Sequence, residues 1–171
     1  QPPGLKRLLQ APHLRELLAL QERIGLWPGD GHEAAQAQAP SLMGTWQVAS
    51  GSAHIRLEPC ADPASGPLCG VIVVLLRPNG PDGAPIAPEA AIDFRNPDPG
   101  QRGRKVLGST IMWGFKKTAD PNAFEEGRIY SGENGKTYTA NVALQPDGTL
   151  RLRGYIGTPM FGETQVWTRV K

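Results

Sequence analysis

The sequence predicts an all-β fold with an N-terminal helix, in which about eight antiparallel strands close into a barrel. Three observations lead there. From Phe124 onward, four strand-like stretches follow one another, around 124–130 and at 137–144, 149–156 and 162–170, separated only by short turn sequences. This is the pattern of a meander. Glycine (21) and proline (17) are enriched in the 171 residues, as many turns require. A sheet of so many sequential strands must also protect its edges, and closure into a barrel removes them. A two-sheet β-sandwich is the alternative.

Residues 1–41 differ in character from 42–171 and are read as a helical extension and linker ahead of the barrel domain. Leu14, Leu17, Leu18 and Gln21 share one helical face, while Arg15, Glu16, Glu22 and Arg23 fall elsewhere. Pro12 suits a first turn and Gly25 a stop, so a helix is expected over about 12–24, with a shorter one over 4–10. Such a helix packs on the domain or contacts a partner or membrane surface. Residues 27–41 are small and polar, as in a linker.

Strands are then expected at 42–50, 52–60 and 69–76. Ile55 and Leu57 face one way, and His54, Arg56 and Glu58 the other. The third strand is apolar on both faces and should be covered on both. Residues 77–106 form a proline-rich connection of about 30 residues, a length usually associated with function or mobility. A fourth strand is expected at 107–116. Parity places Trp113 and Phe115 on one face of it. The turn at Asn134-Gly135 reads as a type I′ hairpin, which needs φ > 0 at both central residues.

Lys/Arg (18) and Asp/Glu (16) nearly balance to a net charge of +2, and no basic run argues for nucleic acid. No apolar run reaches the roughly 18 residues of a membrane-spanning helix. The chain begins at Gln1 rather than Met, which leaves a removed signal peptide and a trimmed chain as alternatives. Cys60 ends one expected strand and Cys69 starts the next, so an antiparallel pair brings them within bridging distance. A disulfide would imply an oxidising compartment; the alternative is two free thiols in the cytosol. Neither CxxC nor paired histidines complete a zinc set.

Catalytic motifs are absent: there is no Gly-x-Ser-x-Gly elbow and no HExxH, and nothing asks for a cofactor. His54, Arg56 and Glu58 would line a polar lumen or a strand's solvent face. Asp93, Asn96 and Asp98 offer oxygens for a weak calcium site or, more simply, make turns. Arg95, Arg102, Arg104 and Lys105 form a basic cluster that an anionic group at a barrel mouth would meet. Trp113 and Phe115, with Tyr130 and Tyr138 as polar handles, are the candidate lining of an internal pocket, ordinary core packing being the alternative.

Gly44-Thr45-Trp46 on the first strand, with Arg169 on the last, resembles the lipocalin signature. There the tryptophan plugs the barrel base and the arginine packs over it, a cation–π contact worth roughly 0.5–2 kcal/mol. A longer set of stretches resembles the DUF2147 family of bacterial exported proteins: GTWQV, IRLEPC, LCGVIVVL, DFRNPDPGQRGRKVLG, GRIYSGENGKTYTANVAL, LRLRGYIG and TQVWTRV, in that order across 42–170. The resemblance implies a lipocalin-like barrel, a periplasmic or secreted location in a Gram-negative bacterium, and no established activity. The chain departs from the family pattern in its first 40 residues and near 157–162.

Three functions are therefore weighed. The first is a barrel that binds a small apolar or amphipathic molecule, such as a lipid or fatty acid. The second is a filled barrel that contacts a protein partner through the N-terminal helix or the 77–106 loop. The third is an enzyme with a polar lumen around His54, Arg56 and Glu58.

Overall fold

The computed structural model describes residues 40–171. The helices expected over 4–10 and 12–24, and the linker up to residue 39, lie outside the described residues. The chain divides into two units after Pro40, and the second carries every strand described below.

Nine strands follow in order: β1 (Gly44–Gln47), β2 (Ala53–Glu58), β3 (Cys69–Leu75), β4 (Thr110–Trp113), β5 (Lys116–Lys117), β6 (Ala123–Ser131), β7 (Lys136–Leu144), β8 (Leu150–Tyr155) and β9 (Glu163–Arg169). All pairings are antiparallel. The sheet runs β4-β3-β2-β1-β9-β8-β7-β6-β5, and β4 also pairs with β6, which closes it. β4 and β5 lie along the same strand, β6, and are one strand broken at Gly114 (φ 74°). The barrel is thus eight-stranded, and the sandwich alternative is excluded.

Alternation fills the interior. Ile55 and Leu57 on β2, Ala140 and Val142 on β7 and Leu150 and Leu152 on β8 are all buried. One end is sealed. There Trp46 and Leu150 are 0% exposed, and Leu42, Leu68, Phe115, Phe124 and Trp167 pack with them. The small residues are where bulky ones press: Gly127 leaves room for the Phe115 ring, and Gly70 for the Met112 side chain.

Two local expectations are corrected. The hairpin at Asn134-Gly135 is not type I′: only Gly135 has positive φ (69°), and the loop is four residues long, because Ser131 pairs with Lys136. The Asn134 side chain accepts from the Lys136 N–H (2.9 Å), which holds Asn134 in an ordinary turn conformation. The 77–106 segment is ordered by short 3₁₀ turns at Pro88–Ala90 and Pro99–Gln101 and by bridges Asn79↔Pro85 and Ile92↔Lys105.

Candidate functional site

Register decides which side chains face the interior. Trp46 pairs with both Ile55 and Arg169, so Arg169 shares the inner face at the sealed end. Its guanidinium lies 4.2 Å over the Trp46 ring and donates to the carbonyls of Met43 (2.9 Å) and Ser41. The Trp46 indole N–H in turn donates to the Leu42 carbonyl (2.8 Å). Gly44 has φ 124°, and a Cβ there would sit 2.7 Å from the Arg169 guanidinium, so glycine is what lets the arginine lie flat.

At the other end the interior is wet. Ala140 pairs with Gly154, and Leu152 with Gln165, so Gly154, Gln165 and Glu163 continue the inner face. Yet Glu163 and Gln165 are exposed, and Leu75, Ile129, Tyr138 and Gly154 are half-buried. The same face thus passes from Trp167 at 2% exposed to open carboxylate and amide within one strand. The Gln165 side chain accepts from the Trp167 indole (3.0 Å), which marks the boundary between dry and wet interior. This vestibule is apolar on β3 and β6 and polar on β9, with the Tyr138 hydroxyl accepting from Asn134 (2.8 Å) at its rim. Beside it, the 156–162 connection exposes Ile156 (65%), Met160 (80%) and Phe161 (80%). Arg153 fastens that connection by donating to the Pro159 carbonyl at 2.7 and 3.0 Å.

Of the four aromatics expected to line a pocket together, Tyr138 alone faces the vestibule. Phe115 is 2% exposed in the sealed core. Trp113 pairs with Arg128 on the outer face, because Met112 takes the inner position and Gly114 resets parity before Phe115. Tyr130 pairs with the exposed Thr137, so it too points outward, and it is buried only because the 91–106 segment covers it. There its hydroxyl donates to Asp93 (2.7 Å), which also accepts from Asn96 (2.8 Å) and Arg104 (2.9 Å). Burial, followed by the bond to Asp93 and its charge, pushes the Tyr130 phenol up to about 12, against the opposing charge of Arg104.

The remaining candidates disperse. His54, Arg56 and Glu58 lie on the outer wall, opposite in parity to the buried Ile55 and Leu57; Arg56 pairs with Glu58 (2.8 Å) and His54 meets Gln47 (3.2 Å). A polar lumen around them is therefore not formed. Asp93 and Asn96 bond each other, and Asp98 caps the Pro99–Gln101 turn through the Gly100 N–H (2.9 Å). The basic cluster does not converge on the mouth: Arg95 stacks on Phe94, Arg102 bonds the Asn96 carbonyl, Arg104 pairs with Asp93 and Lys105 bonds the Glu89 carbonyl. Cys60 and Cys69 form a disulfide, with Cα atoms 4.9 Å apart. Sequence reasoning named Tyr138 but not Glu163 or Gln165, because β9 before Val166 is polar on both faces, and which of its polar residues face inward depends on the register with β8.

A model of the DUF2147 family, described as an uncharacterized protein conserved in bacteria, matches residues 44–169. Among solved structures, the chain is similar to one described as "Protein HP1028 from the human pathogen Helicobacter pylori belongs to the lipocalin family". The TM-score is 0.62 at 22% identity, over 78% of this chain and 85% of that one. No curated protein matches the chain. Among the described residues, no helix is long and apolar enough to cross a membrane.

Proposed function

The chain belongs to the DUF2147 family, and from that premise we propose that it binds a small amphipathic molecule with an apolar tail, such as a fatty acid, in the vestibule. The reading rests on one observation: inner-face positions that are dry at the Trp46 end are solvent-reached at the Gln165 end. A tail would lie against Leu75 and Ile129, and its head would meet Tyr138 and Gln165. Affinity would come from burying apolar surface, at roughly 25 cal/mol per Å², with the polar groups setting orientation. The disulfide supports action in an oxidising compartment, the periplasm or the outside of the cell.

The test is native mass spectrometry of protein purified without detergent, followed by titration with the fluorescent fatty acid cis-parinarate. Gly154→Trp is the blocking variant, since a Cβ there meets only Tyr138 at 3.9 Å and the indole would extend into the vestibule. A lipid mass that leaves on denaturation, and parinarate binding weakened at least tenfold by Gly154→Trp, is the expected result. A bare mass without parinarate binding would sink the proposal. It would favour the second reading, a protein-interaction module, for which the exposed Met160 and Phe161 speak; these lie where the chain departs from the family pattern.

A further inference from the structure

The β8–β9 connection leaves the barrel as an apolar tip. Residues 156–162 carry no charge, and the 3₁₀ turn Pro159–Phe161 presents Met160 and Phe161 to solvent, with Ile156 beside them. Val166, on the outer face of β9, is exposed as well. Among the described residues these are four of the five large apolar side chains left to solvent, so apolar exposure is concentrated on one hairpin. Such clustering marks an interaction surface, which scattered surface residues do not. The tip is also held in place. Arg153, on the outer face of β8, donates to the Pro159 carbonyl (2.7 Å) and to the Thr164 hydroxyl (2.8 Å), so the connection is ordered before it meets anything.

The wall behind the tip is cationic. By register, the outward residues of β7, β8 and β9 include Arg151 and Arg153 and no carboxylate. Arg128 on β6 reaches the same wall by donating to the Thr139 hydroxyl on β7 (2.7 Å). None of these three arginines is in an ion pair among the described residues. Arg151 stands opposite Val166, so cation and apolar surface adjoin. Nearby carboxylates do not cancel them. Glu125 and Glu126 on β6 are matched by Lys116 and Lys117 on β5, with Lys116 bound to Glu126 at 2.6 Å. Glu133 shares its turn with Lys136, and Glu163 faces the vestibule. We propose that this hairpin face docks the protein on an anionic phospholipid surface. Met160 and Phe161 enter the boundary between headgroups and acyl chains, and the arginines meet lipid phosphates. An apolar tip with cations set back from it matches a surface that is anionic outside and apolar beneath, and guanidinium donors suit phosphate. Docking needs no ligand in the vestibule, so it stands apart from the proposed binding function.

The test is co-sedimentation with vesicles of about three parts phosphatidylcholine to one part phosphatidylglycerol, against pure phosphatidylcholine. Wild type should bind the anionic vesicles at least tenfold more tightly, and about 0.5 M salt should remove most of that difference. Met160→Ser/Phe161→Ser changes only exposed side chains and should weaken binding at least tenfold with an unchanged denaturation midpoint. Arg151→Gln should weaken binding to the anionic vesicles about fivefold, the loss expected for one cation at the surface. Equal binding to both vesicles, or binding untouched by Met160→Ser/Phe161→Ser, would overturn the proposal. So would a concentration-dependent dimer in ultracentrifugation that Met160→Ser/Phe161→Ser abolishes while wild type ignores vesicles, since the partner of the tip would then be a second copy of the chain.

Discussion

Tyr130 shows how one side chain fixes a loop. Its ring lies on the outer wall, where a hydroxyl is ordinarily solvated, yet the hydroxyl is spent on Asp93, 37 positions away in the chain. Tyr130→Phe leaves a buried carboxylate short of one donor and should cost about 1.5–3 kcal/mol in chemical denaturation. The pH dependence follows from the raised pKa. Folding favours the neutral phenol, so the stability it adds is complete below pH 10 and is lost as pH rises toward 12. The stability gap between wild type and Tyr130→Phe should therefore narrow across that window, and a gap that stays constant would show that the phenol is not held as described.

At the scale of elements, the Lys136 end of the β6–β7 hairpin is the dock for the 91–106 segment. Gly135 combines φ 69° with close approach to the Arg95 carbonyl, and a Cβ there would collide with that backbone atom. Gly135→Ala should therefore do more than strain a turn. It should cost over about 1 kcal/mol and raise hydrogen exchange across 91–106 while leaving β8 and β9 protected. The glycine was legible as a turn residue; its second duty was not, because nothing local announces the partner. Parity failed at Trp113 and Phe115 for a related reason. A positive-φ glycine between them turns the chain, and a sequence pattern counts positions without knowing where the backbone resets.

For the whole molecule, closure leaves one end sealed and the other wet. The Cys60–Cys69 bridge sits by the sealed end, after β2 and at the start of β3. Closing so short a loop contributes roughly 2–3 kcal/mol on the chain-entropy model. Cys60→Ser/Cys69→Ser should lose about that much in chemical denaturation and keep parinarate binding, because the vestibule is at the far end. Equal stability of the two proteins would show that the bridge does not constrain the unfolded chain. Loss of binding with retained fold would place the ligand elsewhere.

What the sequence determined by itself was whatever depends on neighbours in the chain: the strands, the turns between them, the antiparallel order, and the closeness of Cys60 and Cys69 across one connection. It also carried the Gly44, Trp46 and Arg169 set, through resemblance. The tertiary structure alone decided which face of each strand turned inward. Tyr130 went outward and Gln165 inward because each strand's register follows from its partner's. A bulge between Phe124 and Gly127, or a glycine kink at Gly114, moves every later side chain to the other wall. Burial of Tyr130, Asp93 and Asn96 likewise required a long connection to fold back over a wall that strand alternation alone would leave to solvent.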